Sequence, residues 1–394
     1  MTARIENLLA NSSVATPCLV LDHQRVAINY QAFRRHMPKM TPYYAVKANP
    51  HPAFLTMLVA EGAYFDCASV QEIIMVLNAG AATDHISYGS TIKKAADIAK
   101  AYQIGIRHFA FDAIEELQKI ADHAPGATVI CRILANNSGS GAQWPLSRKF
   151  GCDSDMATEL LVKAEEFGLC PRGVSFHVGS QQLDVNAWDA AISQSAGIFE
   201  AVHTRGLNLD ILNLGGGFPT AFNQQKTPDL EAYNAATMAS IDRHFGDKAP
   251  HLLVEPGRAL VGDAGVIVAE VVLVSTKSAD DTQRWVYLDV GRFHGLAETE
   301  GEAIRYRISV PERATSKTAP AVIAGPTCDS VDTLYERNPM PMPTDLAAGD
   351  IVLVHDTGAY TSTYSSVGFN GIGPLQVCLA EELVEDRWPA LQIG

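Results

Sequence analysis

The sequence predicts an α/β barrel followed by an all-β domain. Eight short apolar runs alternate with amphipathic segments between Pro42 and Arg258. The first five runs recur at a nearly constant interval. After Gly262 the alternation stops, and strand-like runs follow one another without long helices.

The elements can be taken in order. "TPCLVLD", residues 16–22, reads as a strand lying before the barrel and is expected to join the second sheet. The barrel runs are "PYYAVKA", "YFDCAS", "HISYGS", "RHFAFDA", "TVICRILA", "GVSFHVGS", "DILNLGGG" and "HLLVEPGR". The first five begin at 42, 64, 85, 107 and 128, a spacing of 21 or 22 residues. The segments between them, such as "SVQEIIMVLNA" and "AIEELQKIADHA", read as amphipathic helices. Each ends near a glycine, at Gly62, Gly80, Gly105, Gly126, Gly168, Gly206 and Gly246, a residue suited to close a helix C-terminus. Eight such units over about 220 residues suit a closed parallel (β/α)8 barrel. A doubly wound open sheet is disfavoured, because no GxGxxG follows the first strand. The later runs "VIVAEVVLVST", "RWVYLDVG", "APAVIAGP", "DIVLVHDTG" and "GPLQVCLAE" build the β-domain, with "RATSKTAP" and the proline-rich "NPMPMPTD" read as exposed connections. Residues 1–38 are thus assigned to a segment joining the β-domain, 39–262 to the barrel and 263–394 to the β-domain.

The composition excludes several function classes. The net charge is −14, with no basic run, which argues against nucleic acid or an anionic membrane as a partner. Seven cysteines without CxxC pairs suit reduced thiols in the cytoplasm. "MTARIENLLANSSVATP" has no long apolar core, and no stretch is long and apolar enough to cross a bilayer. No metal is expected.

A barrel of this kind places its chemistry at the C-terminal ends of its strands. There the sequence puts Lys47, Asp66, His177, Ser180, Gly215, Gly216, Gly217, Glu255, Gly257 and Arg258. "LGGGFP" can offer bare backbone N–H groups to a phosphate, and Arg258 can add a bidentate charge, although each alone also suits a tight turn or a surface ion pair. Lys47 follows an apolar strand. A lysine shielded from water is a neutral amine able to attack an aldehyde, with Asp66 or Glu72 as its partner. A carboxylate such as Glu255 favours the protonated form of a pyridine nitrogen. His177 is suited to stack on a ring, or equally to sit as a core histidine bonded to backbone, and Ser180 to bond a phosphate. An aldehyde, a phosphate and a pyridine together describe pyridoxal 5′-phosphate (PLP).

"YYAVKANP", "FDCAS", "SFHVGSQ", "LGGGFP", "EPGR", "GPTCDSVDTL" and "GAYT" resemble, in order, the motifs of the fold-type III PLP-dependent amino-acid decarboxylases, in particular the ornithine/lysine decarboxylases. The similarity runs from Thr16 to about Gly373, and the chain length and "WPLSRKFGCD" resemble the bacterial form. The resemblance implies an alanine racemase-like PLP-binding barrel with a C-terminal β-domain, and a homodimer with shared active sites. It implies that Lys47 bonds the cofactor covalently, that His177 stacks on it, and that Glu255 partners the pyridine. Ser180, Gly216, Gly217, Gly257, Arg258 and Tyr360 become cofactor contacts, supported by Asp66, Glu72 and Arg148. Cys328 becomes the acid that protonates the substrate carbon, and Asp329 holds the distal amine, both reaching the other subunit's cofactor. The expected reaction is decarboxylation of ornithine to putrescine, or of lysine to cadaverine, in polyamine biosynthesis.

One segment departs from the family pattern. In "GRFHGLAETEGEAIRY" an aspartate is expected near Gly301 and a glycine in place of His294. Glu298, Glu300 and Glu302 are the nearby carboxylates. Glu300 is taken as the second residue holding the distal amine, against the alternative of a solvated acidic loop. Rival readings are a diaminopimelate decarboxylase, which needs a cation to read a second carboxylate, and a catalytically inactive regulatory relative. Asp329 after Cys328 disfavours the first, and the presence of both Lys47 and Cys328 disfavours the second. A racemase of this fold typically has an arginine where this chain has Glu255.

Overall fold

Short β-rich runs followed by capped helices generate the barrel. The computed structural model describes residues 3–12, 14–135, 142–144, 149–222 and 226–383. They divide into two compact units. One comprises residues 27–219 and 227–260; the other comprises the described residues of 1–26, 220–226 and 261–394. The barrel unit begins inside the helix His23–His36, earlier than the expected start at 39, because that helix turns a buried face to the barrel unit. Its Phe33 ring stands edge-on to Phe218 at 5.2 Å, and Asn29 donates to the Leu260 carbonyl at 2.9 Å.

The eight barrel strands are Met40–Ala45, Tyr64–Cys67, Ile86–Tyr88, His108–Phe111, Thr128–Arg132, Cys170–Ser175, Ile211–Asn213 and His251–Val254. Each pairs in parallel with its successor, and the eighth closes on the first through Leu252–Met40, Leu253–Thr41 and Val254–Pro42. Ile130, Ile211 and Leu253 pack together with Tyr43 against them. The helices Val70–Asn78, Ser154–Glu166 and Leu230–Phe245 start on Ser69, Asp153 and Asp229, whose side chains accept the N–H three residues on. All seven expected helix-ending glycines have positive φ, between 54° and 116°, which an L side chain adopts only with strain.

The second unit is built on one sheet. Its strands run in the order Ile308–Ser309, Ile351–His355, Gly265–Ser275, Arg284–Leu288, Thr318–Ala324 and Met340–Pro343. The strand Cys18–Leu21 pairs antiparallel with Gly265–Ser275 and parallel with Gln376–Leu379. Cys18, Val20, Val266, Val268, Leu353 and Cys378 form a core with Ile5 of the helix Ala3–Leu9. The segment read as a proline-rich connection is the edge strand Met340–Pro343, paired antiparallel with Thr318–Ala324. Alternation of Met and Pro buries Met340 and Met342, and an edge tolerates residues without N–H donors. Arg284 donates to the carbonyls of Pro343, Met342 and Ala319 and ties that edge down.

Candidate active site

The C-terminal ends of the barrel strands gather a compact set of charged and polar groups. Lys47 lies in a 3₁₀ turn, Val46–Ala48, just beyond the first strand. Its Nζ is 3.8 Å from Asp66 Oδ2 on the second strand. The sequence suggested a shielded lysine. In the single chain its side chain is 46 % exposed, because the turn carries it past the strand to the open mouth. Asp66 is buried, and its Oδ1 has no hydrogen-bond partner. Burial, then the charge of Glu255, pushes its carboxyl up to about 7, against the opposing pull of Lys47. Glu72 is also raised by burial, while its carboxylate accepts the Ala68 N–H at 2.6 Å.

After the sixth strand, His177 Nδ1 accepts the Gly179 N–H at 2.9 Å, so Nε2 carries the proton. Burial above all, with Arg132 and Lys47 adding, holds this imidazole well below its usual range and keeps it neutral. After the eighth strand, Glu255 Oε1 accepts from Asn213 Nδ2 at 2.6 Å, and Asn213 Oδ1 in turn accepts the Gly215 N–H at 2.9 Å. Arg258 is buried and donates to Ser180 Oγ at 3.2 Å.

The glycine loop is obligatory in shape. A Cβ on Gly216 would meet the Glu255 carbonyl at 2.7 Å and His177 Nε2 at 3.1 Å; one on Gly217, with φ 108°, would meet the Gly179 carbonyl at 2.6 Å. Beneath the loop Trp188 stacks on Phe218 at 5.2 Å and donates to the Leu214 carbonyl at 3.1 Å. Tyr233 packs edge-on against both rings.

The β unit carries a second group. Cys328 and Asp329 are exposed on the loop after Thr318–Ala324. Buried Asp332 organises this loop: Oδ1 accepts the Arg292 N–H at 2.7 Å, and Oδ2 accepts from the Thr327 N–H and hydroxyl at 3.1 and 2.7 Å. Asp329 Oδ1 accepts the Val331 N–H at 2.9 Å, a local turn-capping contact. Glu300 is 63 % exposed and held by Arg292 at 2.6 Å, so its charge is already engaged by a guanidinium. Glu302 pairs with Arg305 and accepts the Arg337 N–H. His294 is buried, and neither ring nitrogen has a hydrogen-bond partner. Tyr360 has φ 56°. Arg148 lies outside the described residues.

Residues 23–262 match the family model of the pyridoxal-dependent decarboxylases, pyridoxal-binding domain. The chain belongs to this family. It is 35 % identical to the lysine/ornithine decarboxylase of Selenomonas ruminantium over 91 % of this chain and 88 % of that one. The crystal structure of lysine decarboxylase from Selenomonas ruminantium matches with a TM-score of 0.85 at 32 % identity, covering 96 % of this chain and 95 % of the other. A lysine/ornithine decarboxylase from Vibrio vulnificus, complexed with putrescine, matches with a TM-score of 0.83 at 31 % identity, covering 95 % and 96 %.

The residues of this decarboxylase fit PLP. A loop open only because it lacks Cβ atoms, beside the fixed charge of Arg258, suits a phosphate. The charge of Glu255 adds to the cost of ionising buried Asp66, and a cationic ring would relieve it. Sequence reasoning missed Arg132, Asn213 and Asp332. Arg132 ends the fifth strand, so the same strand-end rule that selected Lys47 would have found it. Among the described residues no group of His, Cys, Asp and Glu could hold a metal, and no helix is long and apolar enough to cross a membrane.

Proposed function

We propose that this chain decarboxylates a basic L-amino acid with PLP, ornithine first and lysine second, giving putrescine or cadaverine. The observation that carries this is the barrel mouth itself, where Lys47, neutral His177, Asn213-held Glu255 and the Gly216–Gly217 loop beside Arg258 converge. Lysine and ornithine come from the names of the Selenomonas and Vibrio relatives.

Bound PLP supplies an aldehyde for an amine and a protonated ring that takes up the electron pair left when CO2 departs. Lys47 would hold the cofactor through its side-chain amine. Glu255, fixed by Asn213, keeps the ring nitrogen protonated. His177 offers a neutral face, so it adds no charge that would compete with the ring. Ser180, Gly217, Arg258 and Tyr360 would contact the phosphate, Gly216 and Gly257 would contact the cofactor, and Asp66 and Arg148 would support the site. Cys328 delivers a proton to the carbon that lost CO2, and Asp329 binds the distal ammonium. Glu300 contributes less to that ammonium than its position in the sequence suggested, because Arg292 already engages it. The working form is a cytoplasmic homodimer in which Cys328 and Asp329 serve the second copy's cofactor.

The test is turnover of ornithine, lysine, arginine, diaminopimelate and norleucine by purified protein with PLP. Ornithine and lysine are expected to lead. Loss of a charge-assisted contact in Asp329→Asn is expected to lower kcat/KM for both by roughly ten- to hundredfold. Equal use of norleucine, or preferred use of diaminopimelate, overturns the assignment.

A further inference from the structure

One side chain outside the expected site grips Cys328 at two points. Asn370 lies in the turn Phe369–Gly371 with φ 54° and ψ 19°, a left-handed conformation that asparagine tolerates better than most residues. The turn is braced by Phe369, whose ring is 4.7 Å from that of Phe293. The Cys328 backbone N–H donates to Asn370 Oδ1 at 3.0 Å, and Asn370 Nδ2 is 3.2 Å from Cys328 Sγ. The first contact fixes the amide's orientation, since only its oxygen can accept from a backbone N–H. Its NH2 group must therefore face the sulfur and donate to it.

That arrangement has a chemical sense. A sulfur accepting from an amide N–H cannot also spend its own proton on that amide, so the S–H points elsewhere. We propose that Asn370 is a positioning residue for proton delivery by Cys328: it fixes the thiol's rotamer, directs the S–H away from the amide, and stabilises the sulfur once the proton has gone. The inference rests on the reading of Cys328 as the proton donor. In the step, the S–H bond breaks, a C–H bond forms at the carbon that has lost CO2, the electron pair stays on sulfur, and solvent later returns the proton. The amide donor faces the charge that develops on sulfur.

Asn370→Asp tests the sulfur contact alone, because it keeps an oxygen for the Cys328 N–H, keeps a residue suited to the left-handed turn, and removes the donor to sulfur. Asn370→Gly, at ease with positive φ, removes both contacts. Two readouts are used. In protein without PLP, alkylation of Cys328 by iodoacetamide at pH 7 is followed by peptide mass spectrometry, with exposed Cys170 in the same molecule as the internal reference. Both variants are expected to slow Cys328 by roughly two- to tenfold relative to Cys170, the worth of one hydrogen bond. In protein with PLP and ornithine, the ratio of aldehyde to amine product is expected to rise by a similar factor, as protons reach the wrong carbon. Wild-type alkylation and wild-type partition in both variants, where Cys328→Ala raises the aldehyde share, overturns the role of Asn370 and leaves that of Cys328 standing. A wild-type partition in Cys328→Ala overturns the reading of Cys328 itself.

Discussion

At the scale of single residues, Asp66 is the most informative group. Its carboxyl is raised from 3.8 to about 7, first by burial and then by Glu255. The folded chain therefore binds a proton that the unfolded chain has released between about pH 4 and 7. By linkage this contribution to stability is full below pH 4 and is lost as pH rises through 7. Asp66→Asn, which cannot ionise, is expected to raise the Tm of PLP-free protein at pH 8 by about 2–4 °C. It should also weaken PLP, because a cationic ring loses a carboxylate. Thermal scans and PLP titration check both signs. A lower Tm at pH 8 would show that Asp66 acts as a stabilising partner of Lys47 in the empty site. Lys47, Asp66, His177 and Glu255 were legible in the sequence because each lies at or just past the end of a barrel strand, where position alone implies the mouth. Asn370 and Asp332 were not, since their meaning lies in contacts with another segment. The Asn370 contact to Cys328 spans 42 residues, and the Asp332 contact to Arg292 spans 40.

At the scale of elements, the helix Ala3–Leu9 is tied to the β unit through His355. Nδ1 is 3.2 Å from Glu6 Oε1, and Nε2 is 2.7 Å from Ser309 Oγ. Burial first, then Arg307, lowers this imidazole to about 4, with Glu6 opposing. The unfolded chain takes up a proton near pH 6.5 that the folded chain resists, so stability is lost as pH falls from about 6.5 toward 4. His355→Gln keeps a hydrogen-bonding side chain without the titration. The wild-type Tm is expected to fall about 2–4 °C more than the variant's between pH 7 and 5. Parallel slopes would place the acid sensitivity elsewhere. Helix ends were readable because glycine has a backbone reason to be there. The strand Met340–Pro343 was not, because proline signals a turn unless the position is known to be an edge. Lys93, in "STIKKAAD", has a fully buried side chain against Glu116 at 2.8 Å and the Ser90 and Ala110 carbonyls at 2.6 Å, contacts that no local pattern announces.

At the scale of the molecule, the proposed sharing of sites between copies makes a sharp expectation. Lys47→Ala lacks the covalent amine and Cys328→Ala the acid, so each alone should lose most normal turnover. Random mixing makes half the dimers mixed, and each of these has one site with both groups intact. Activity is then expected to recover to about a quarter of wild type. No recovery, with exchange verified by native mass spectrometry, rules out sites assembled from two copies. The barrel was legible at this scale because parallel βα units repeat locally. The β unit was legible only in outline, because its pairings join residues far apart in the chain.

The pairing of Cys18–Leu21 carries a consequence for biosynthesis. The second to fifth barrel strands each pair with the strand made just before them. The segment Cys18–Leu21 emerges before all of them and must wait for Gly265–Ser275 and then Gln376–Leu379. Through most of translation, four residues that end fully buried travel with both edges open. The nascent chain thus bears an unpaired apolar strand for nearly its whole time on the ribosome, an edge open to other chains until its partners arrive.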